Sequence, residues 1–267
     1  MVSRRIVVIT GAAGTLGGKL RQHLAGRHDL RLLDRDPRGD PGIERADLST
    51  WSGWVRRFEQ ADVVFHFAAD PEAYRPWPDL VGPNMDAMIH TFAAAAAGRV
   101  RRFVFASSNH VMGGYRDETG VALGPETPPR PGLRYRIAGT PQNSTPYAAG
   151  KLFGERLARC YAQSHGMEAI ALRIGWVWRG GPNLPQNLPA DRGDWFRLMW
   201  LSDRDFLHLA DRCLVAELPE PFVVVNGMSN NTGMAWDLEP GRRVLGYEPQ
   251  DDVTAWTEPW GPTTDES

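Results

Sequence analysis

The sequence predicts an α/β fold in which a doubly wound parallel sheet carries a small C-terminal lobe. Short β-branched runs, of which residues 6–10 (IVVIT) are the first, alternate with longer stretches of helical periodicity. Such alternation is typical of βαβ units, whose parallel strands are covered by helices on both faces. After residue 175 the alternation weakens in a segment rich in Trp, Pro, Gly, Asn and Arg, which predicts the lobe.

The individual elements are predicted from their hydrophobic patterns. Apolar runs predict strands at residues 6–10, 30–34, 62–68, 102–107, 169–174 and 221–226. Amphipathic or Ala-rich stretches predict helices at residues 16–27, 84–98, 147–165 and 205–217. We therefore expect a core over residues 1–175, a lobe with a returning helix and strand over 176–256, and a mobile tail over 257–267.

The composition is typical of a soluble globular protein and excludes several classes of function. Apolar residues make up 42% and charged residues 23%, with a formal net charge of -2. This balance indicates neither nucleic acid nor an anionic membrane as a partner, and no apolar run approaches the ~20 residues that span a bilayer. We expect a cytoplasmic protein whose N-terminus is a first strand, not a signal peptide.

The two cysteines predict neither disulfides nor a metal site. Cys160 and Cys213 are too few for a disulfide framework and lack the spacing of metal ligands. Both fall within helical patterns, so we expect buried free thiols.

A glycine-rich turn follows the first strand. Residues 10–17, TGAAGTLG, match the pattern TGxxGxxG between a strand and a helix. Gly11 permits a sharp turn, Gly14 lets the backbone approach a pyrophosphate, and Gly17 lets the helix pack closely on the sheet. Thr15 and Leu16 open the helix, where free N–H groups and the helix dipole favour phosphate. The pattern predicts a dinucleotide site in a sheet of the Rossmann type.

The residues after the second strand predict which dinucleotide binds. Asp34 ends that strand, where a carboxylate can accept both ribose hydroxyls and repel a 2′-phosphate, so NAD is predicted over NADP. Arg35 and Arg38 follow closely and could hold a phosphate, which leaves NADP as an alternative. Asp47 and Leu48 follow a short extended run and are expected to meet the adenine.

A serine, a tyrosine and a lysine follow the nucleotide motif in an order that has a mechanism. Tyr147 and Lys151 lie four residues apart at the start of a helix, so their side chains share one face. A tyrosine hydroxyl is a poor base near its reference pKa of ~10, and a neighbouring ammonium lowers that pKa. Ser108 ends a strand at the carboxyl edge of the sheet and can hold a reacting oxygen beside the tyrosine. We predict Ser108, Tyr147 and Lys151 as the catalytic residues.

Together these motifs resemble the extended short-chain dehydrogenase/reductase superfamily and, within it, the uronate dehydrogenase branch. The resemblance covers residues 1 to about 250 and is carried by TGAAGTLG, Asp34, HFAA at 66–69, ASSNH at 106–110 and YAAGK at 147–151. It implies that NAD oxidises the anomeric carbon of a hexuronate to an aldarolactone. It also implies self-association, because the helices at 84–97 and 147–165 resemble the pair that forms a four-helix dimer interface in this superfamily.

The resemblance assigns further roles by position. Ser108 and Tyr147 would bind the C1 hydroxyl, and Asn109 and His110 would bond to the sugar hydroxyls. For His110 the alternative is a structural histidine that fixes the loop. The other implied cofactor positions are Phe67, Ala68, Ala69, Ile174 and Asn84, the last matching an asparagine that supports the catalytic lysine or the cofactor.

The sequence departs from the branch where the distal end of the sugar would bind. Residues 70–72 (DPE) and Trp176 stand where the branch has small serines, and residues 134–143 (RYRIAGTPQN) are added before Tyr147. These changes remove hydroxyl donors and add bulk and charge. These changes leave substrates other than a plain hexuronate open.

Arginine is the natural clamp for a carboxylate, sulfonate or phosphate. A loose match to the branch favours Arg197, with Arg192, Arg179 and Arg204 as further candidates. Tryptophans of the lobe could stack on a sugar face, Trp176 among them, or could form the core of the lobe; they are Trp176, Trp178, Trp195 and Trp200.

Several functions remain open at this point. The leading hypothesis is an NAD-dependent aldose 1-dehydrogenase acting on a sugar or sugar acid, with a hexuronate first. A hexose 6-phosphate, a 6-sulfo sugar such as sulfoquinovose, or a neutral aldose are alternatives. A nucleotide-sugar epimerase or dehydratase is disfavoured by the short C-terminal portion. A non-catalytic dinucleotide sensor is disfavoured by the intact tyrosine and lysine. A homodimer or higher homo-oligomer is expected.

Overall fold

The computed structural model describes residues 4–137 and 139–256, and the tail predicted for 257–267 lies outside them. Its strands are β1 Ile6–Thr10, β2 Asp29–Asp34, β3 Glu44–Arg45, β4 Val63–His66, β5 Arg102–Ser108, β6 Arg134–Ile137, β7 Thr140–Asn143, β8 Glu168–Ile174 and β9 Phe222–Gly227. Seven of them form one sheet in the order β3-β2-β1-β4-β5-β8-β9. Every pairing in that sheet is parallel. The predicted doubly wound parallel sheet is confirmed.

The helices lie on both faces of this sheet. They are α1 Thr15–Leu24, α2 Trp77–Leu80, α3 Ala87–Ala97, α4 Thr145–His165, α5 Asp194–Arg197, α6 Asp203–Val215 and α7 Glu239–Leu245. The helix predicted at 84–98 is preceded by a π-helical turn over Val81–Asp86. Pro83 lies in that turn and has no N–H to donate, which disfavours a regular α-helical start.

Alternate side chains of each central strand enter opposite cores. Along β5, Phe103 and Phe105 face one core and Val104 the other. The core that contains Val104 is closed by α1 and α6, and the core that contains Phe103 is closed by α3 and α4. Strands buried on both faces need continuous apolar runs, which is why the sequence pattern located them.

The chain after β8 contributes to the sheet and also builds a separate apolar cluster beyond it. α6 and β9 return to the sheet. A separate apolar cluster joins the residues after β8 to the segment after β5, and it includes Met112, Phe196, Met199 and Trp236. The added stretch before the catalytic helix forms an antiparallel hairpin of β6 and β7. The boundary predicted at 175/176 remains a proposal.

The two cysteines differ in their surroundings. Cys213 on α6 is buried as expected, and burial raises the pKa of its thiol to about 12. The expectation for Cys160 was wrong: it is exposed on the outer side of α4. Over residues 4–137 and 139–256, no helix has the length and apolarity to cross a membrane.

Candidate active site

A cleft of about 1150 Å³ runs along the carboxyl ends of the strands. Its floor begins at the glycine turn after β1 and continues past the ends of β4, β5 and β8. Parallel sheets bind ligands at this edge, where the strand order reverses. The cleft therefore lies where the sequence predicts both the dinucleotide and the catalytic residues.

The glycine turn leaves space that no side chain could share. Gly11 has φ +70°, and a Cβ there would lie 2.7 Å from the Ala68 nitrogen. A Cβ on Gly17 would lie 2.1 Å from the Gly11 carbonyl oxygen. No side chain caps α1, whose N-cap residue is Gly14, so its first N–H groups face the cleft. This cradle fits the pyrophosphate of a dinucleotide.

Asp34 is held in place beside that turn. Its carboxylate accepts N–H bonds from Ala13 at 2.9 Å and from Asp36 at 2.9 Å. These bonds orient the carboxylate at the rim of the cleft and leave lone pairs for further donors. The arrangement fits a ribose diol, as predicted.

Most of the predicted cofactor positions line the cleft. Apart from those already described, they are Thr15, Leu16, Arg35, Asp47, Leu48, Phe67, Ala68, Ala69 and Ile174. Asn84 does not line it. Its side chain forms two bonds with the Asp70 backbone, accepting from the N–H at 2.6 Å and donating to the carbonyl at 3.0 Å. Asn84 thus braces the loop after β4, and its support of the catalytic lysine or the cofactor stays a prediction.

Tyr147 and Ser108 meet at the centre of the cleft. β5 ends at Ser108, α4 begins just before Tyr147, and both residues line the cleft. Burial raises the pKa of Tyr147 to about 12, while the neighbouring Ser108 hydroxyl and the Arg179 charge lower it. Desolvation by burial is the largest of these effects in the protein alone, and the lowering expected from Lys151 stays a prediction.

Lys151 lies one helical turn beyond Tyr147. Its Nζ donates to the Ala106 carbonyl at 2.8 Å and lies 5.6 Å from the centre of the Tyr147 ring. Burial lowers the pKa of Lys151 to about 8. Desolvation makes this ammonium easier to deprotonate than an exposed one, and at pH 7 a lysine with that pKa is still mostly charged.

A buried ion pair supports this centre from below, and the sequence analysis missed it. Glu155 Oε1 accepts from Arg173 Nε and Oε2 from Arg173 Nη2, both at 2.9 Å. Ser107 donates to the same Oε1 at 2.6 Å. The signal was present, since Glu155 continues the four-residue spacing of Tyr147 and Lys151 along α4.

Asn109 and His110 follow Ser108 and line the cleft. Asn109 Nδ2 donates to the Ile174 carbonyl at 2.9 Å, whereas Oδ1 is buried with no hydrogen-bond partner among the described residues. His110 Nδ1 lies 2.7 Å from Ser144 Oγ, and burial lowers the pKa of the imidazole to about 4. His110 is therefore neutral near pH 7 and held in a fixed orientation.

The structure does not place Arg197 in the cleft. Its guanidinium donates to the Val253 carbonyl at 3.3 Å, and Arg204 pairs with Asp251 in the same C-terminal region. Arg179 and Arg192 line the cleft instead. Because α5 directs Arg197 toward the C-terminal segment, its position does not favour the predicted role as the anion clamp.

The tryptophans divide between the cleft and the cores. Trp176 and Trp178 line the cleft, with rings 6.1 Å apart in a T-shaped contact. Trp200 is fully buried and donates to Asn183 Oδ1 at 3.0 Å. Trp195 packs against an apolar cluster. The core alternative holds for Trp200, and stacking of Trp176 or Trp178 on a sugar face stays a prediction.

The end of the cleft opposite Asp34 also carries charged side chains. The loop after β4 brings Asp70 and Glu72, the segment after β8 brings Arg179, and the β6–β7 hairpin brings Gln142. Arg179 Nη2 lies 3.1 Å from Glu72 Oε1. Within the described part of the chain, no group of three or more His, Cys, Asp or Glu side chains could hold a metal ion.

A parallel sheet, a glycine cradle and a Ser-Tyr-Lys cluster at its carboxyl edge define a dinucleotide-dependent oxidoreductase of the short-chain type. The comparison with known proteins specifies the group further. The chain belongs to the NAD dependent epimerase/dehydratase family, which it matches over residues 7–184.

The relatives in this family include named sugar dehydrogenases. The chain is 33% identical to the NAD-dependent glucose-6-phosphate dehydrogenase of Haloferax volcanii, over 94% of this chain and 95% of that protein. It is 30% identical to the uronate dehydrogenase of Pseudomonas putida, over 92% and 84%. The crystal structure of a glucuronic acid dehydrogenase from Chromohalobacter salexigens is 30% identical and superposes with a TM-score of 0.77, over 95% and 87%. The predicted superfamily, fold, NAD cofactor and oxidoreductase class are confirmed.

Proposed function

We propose that the protein oxidises the anomeric carbon of an aldose with an anionic C6 group, using NAD, and that it releases the lactone. A hexuronate is the leading substrate. The observation that carries the proposal is the placement of Ser108, Tyr147 and Lys151 along one cleft, together with a buried acceptor, Asn109 Oδ1, which has no partner among the described residues. Such an acceptor is costly to bury alone, and a sugar hydroxyl would satisfy it. The kinship with enzymes named for a uronate and for a sugar phosphate supports the anionic C6 group.

The chain's own residues would handle the proton. Bound NAD supplies the hydride acceptor. Ser108 holds the C1 oxygen next to Tyr147, which acts as the phenolate after its own proton has passed to solvent. The phenolate takes the hydroxyl proton as the C1–H bond breaks, so that the oxygen loses a proton, C1 loses a hydride and a carbonyl forms. Lys151, anchored on the Ala106 carbonyl, supplies positive charge on the tyrosine side. Asn109 and His110 would orient the ring through its hydroxyls.

A hexose 6-phosphate is the second candidate substrate. A relative that is 33% identical is named for glucose 6-phosphate. Arg179 and Arg192 both line the cleft, and a guanidinium binds phosphate with the same geometry as carboxylate.

The proposal is tested by following NADH absorbance with NAD and a panel of sugars: glucuronate, galacturonate, glucose 6-phosphate, sulfoquinovose, glucose and arabinose. Turnover of an anionic aldose is expected, and Tyr147→Phe should abolish it while NAD affinity stays close to that of the wild type. Tyr161→Phe is the control, since Tyr161 lies on the same helix but packs on Phe92 away from the cleft. Activity that persists in Tyr147→Phe, or no oxidation of any sugar, would contradict the proposal.

We also propose a homodimer that pairs α3 and α4 with their copies. Ile89 on α3 and Phe153 on α4 are large apolar side chains with 37% and 38% exposure, and Val81 lies close by in sequence with 40%. Exposed apolar faces on adjacent helices favour association. Light scattering should give twice the chain mass for the wild type and one chain mass for Phe153→Glu; a wild-type monomer would refute the dimer.

Location in the cytoplasm stays a prediction.

A further inference from the structure

One ion pair joins the two walls of the cleft at its far end. Glu72 belongs to the loop after β4 and Arg179 to the segment after β8, and their charged atoms lie 3.1 Å apart. Both residues line the cleft. The other carboxylate of this loop, Asp70, pairs with Arg75 at 3.1 Å, so the Glu72 carboxylate is the one that faces Arg179.

This pair is exposed enough to exchange partners. The two side chains are 45% and 56% exposed, in contrast to the Arg173–Glu155 pair, whose side chains are 2% and 4% exposed. An exposed pair contributes little to stability because water screens it and two long side chains must be ordered. A substrate anion with two oxygens in one plane can bind a guanidinium at least as well as Glu72 does.

The pair also lies within electrostatic reach of the reacting hydroxyl. The charge of Arg179 lowers the pKa of Tyr147, and the charges of Asp70 and Glu72 raise it. Trp176 and Trp178, which lead to Arg179 along the chain, line the same part of the cleft. A sugar whose C1 meets Tyr147 would extend its distal carbon toward this charged end.

We propose that Arg179 selects substrates with an anionic distal group, and that Glu72 is its internal competitor, whose carboxylate the substrate anion replaces. The inference rests on the proposed function and specifies which residues set its substrate class. A carboxylate, phosphate or sulfonate would serve, because each offers the oxygens that a guanidinium binds. For a neutral aldose Glu72 stays paired with Arg179 and nothing is exchanged.

The test compares Glu72→Gln, Arg179→Gln and the double variant on glucuronate, glucose 6-phosphate and glucose. Glu72→Gln should lower KM for the anionic sugars about twofold to fivefold, because it removes a competing exposed ion pair. Arg179→Gln should raise KM for the same sugars about tenfold or more, since it removes a charge-assisted contact. Neither variant should change KM for glucose, and in the Arg179→Gln background the Glu72 substitution should have no effect. Arg57→Gln is the control, because Arg57 forms a comparably exposed pair with Glu44 away from the cleft.

Equal effects on neutral and anionic sugars would overturn the inference, as would a Glu72→Gln effect that survives the loss of Arg179. A binding measurement distinguishes failure of this inference from failure of the proposed oxidation. Glucuronate and glucose 6-phosphate are titrated by calorimetry into the Tyr147→Phe protein with NAD, with and without Glu72→Gln or Arg179→Gln. If binding depends on Glu72 and Arg179 but the wild type oxidises none of these sugars, the proposed oxidation is refuted and the inference stands. Turnover of an anionic sugar with binding that is indifferent to both residues would keep the oxidation and sink the inference.

Discussion

Replacing Glu155 by glutamine tests whether the buried ion pair beneath Ser108 stabilises the folded chain. Glu155 and Arg173 are almost fully buried and joined by two bonds of 2.9 Å. Glutamine removes the negative charge and leaves the Arg173 guanidinium buried without compensation. Removing one partner of a buried pair costs about 3–5 kcal/mol, and we expect a loss near 3 kcal/mol because glutamine keeps one acceptor. Since domains are stable by about 5–15 kcal/mol, the variant should still fold.

The assay is urea unfolding followed by circular dichroism, with equal slopes required for the comparison. The double variant Glu155→Met with Arg173→Met provides the control, because replacing both charges by apolar groups is often neutral or stabilising. We expect it to lie within about 2 kcal/mol of the wild type. If Glu155→Gln lowers the free energy of unfolding by less than about 1 kcal/mol, the reasoning is refuted, because an uncompensated buried charge should destabilise the fold by more than that.

The same double variant separates stability from positioning. Ser107 donates to Glu155 at 2.6 Å and precedes Ser108 on β5, so Glu155 also fixes the end of that strand. In the double variant we expect recovered stability together with a reduced kcat and an unchanged affinity for NAD. A kcat equal to that of the wild type would show that Glu155 acts only on stability and positions nothing.

Three further predictions concern the cofactor and pH. Gly17→Ala should weaken NAD binding about tenfold or more in a fluorescence titration, because its Cβ would lie 2.1 Å from the Gly11 oxygen; an unchanged Kd would contradict the cradle. Asp34→Ser should shift the kcat/KM ratio toward NADP by about tenfold, and a constant ratio would show that Asp34 does not select the cofactor. Burial lowers the pKa of His66 to about 3 in the folded chain, from about 6.5 in the unfolded chain. Below pH 6.5 the unfolded chain therefore binds a proton that the folded chain does not, and the unfolding free energy falls as the pH drops. The fall is at most about 1.4 kcal/mol per pH unit for this histidine. Urea unfolding at pH 7 and pH 5 measures it, and His66→Gln should reduce the slope; an identical slope would refute the assignment.

The cofactor half of the cleft could be predicted from the sequence because it is built from backbone. Gly11 and Gly17 occupy positions where a Cβ would collide with backbone atoms, so the residue type itself reports the geometry. Tyr147 and Lys151 share a helix, and helical periodicity brings their side chains to one face without any tertiary information. Six strands of the main sheet could be predicted in the same way from their apolar runs, whereas the short β3 and the β6–β7 hairpin, which lack such runs, were not predicted.

The distal half could not be predicted in the same way. Arg197 and Arg179 look alike in sequence, and only the course of the loops decides which guanidinium reaches the cleft. The sequence also could not show which partners the Asn84 side chain would find, and in the structure both of its bonds go to the Asp70 backbone. The raised pKa of Tyr147 was missed for a related reason, because desolvation depends on the side chains packed around the phenol and not on the spacing to Lys151.

This division between backbone-built and loop-built halves explains how relatives named for different sugars can share one fold. Ser108, Tyr147 and Lys151 lie on a central strand and a long helix, where their relative positions are set by sheet and helix packing. Glu72 and Arg179 lie on connecting segments, which can change in sequence without moving the strands. A new anionic group then requires only that the loop charges be rearranged, while the chemistry at C1 stays the same. In this protein we expect the opposing charges of Glu72 and Arg179 to set the partner of the distal group, while Ser108, Tyr147 and Lys151 perform the same chemistry for every sugar that the loops admit.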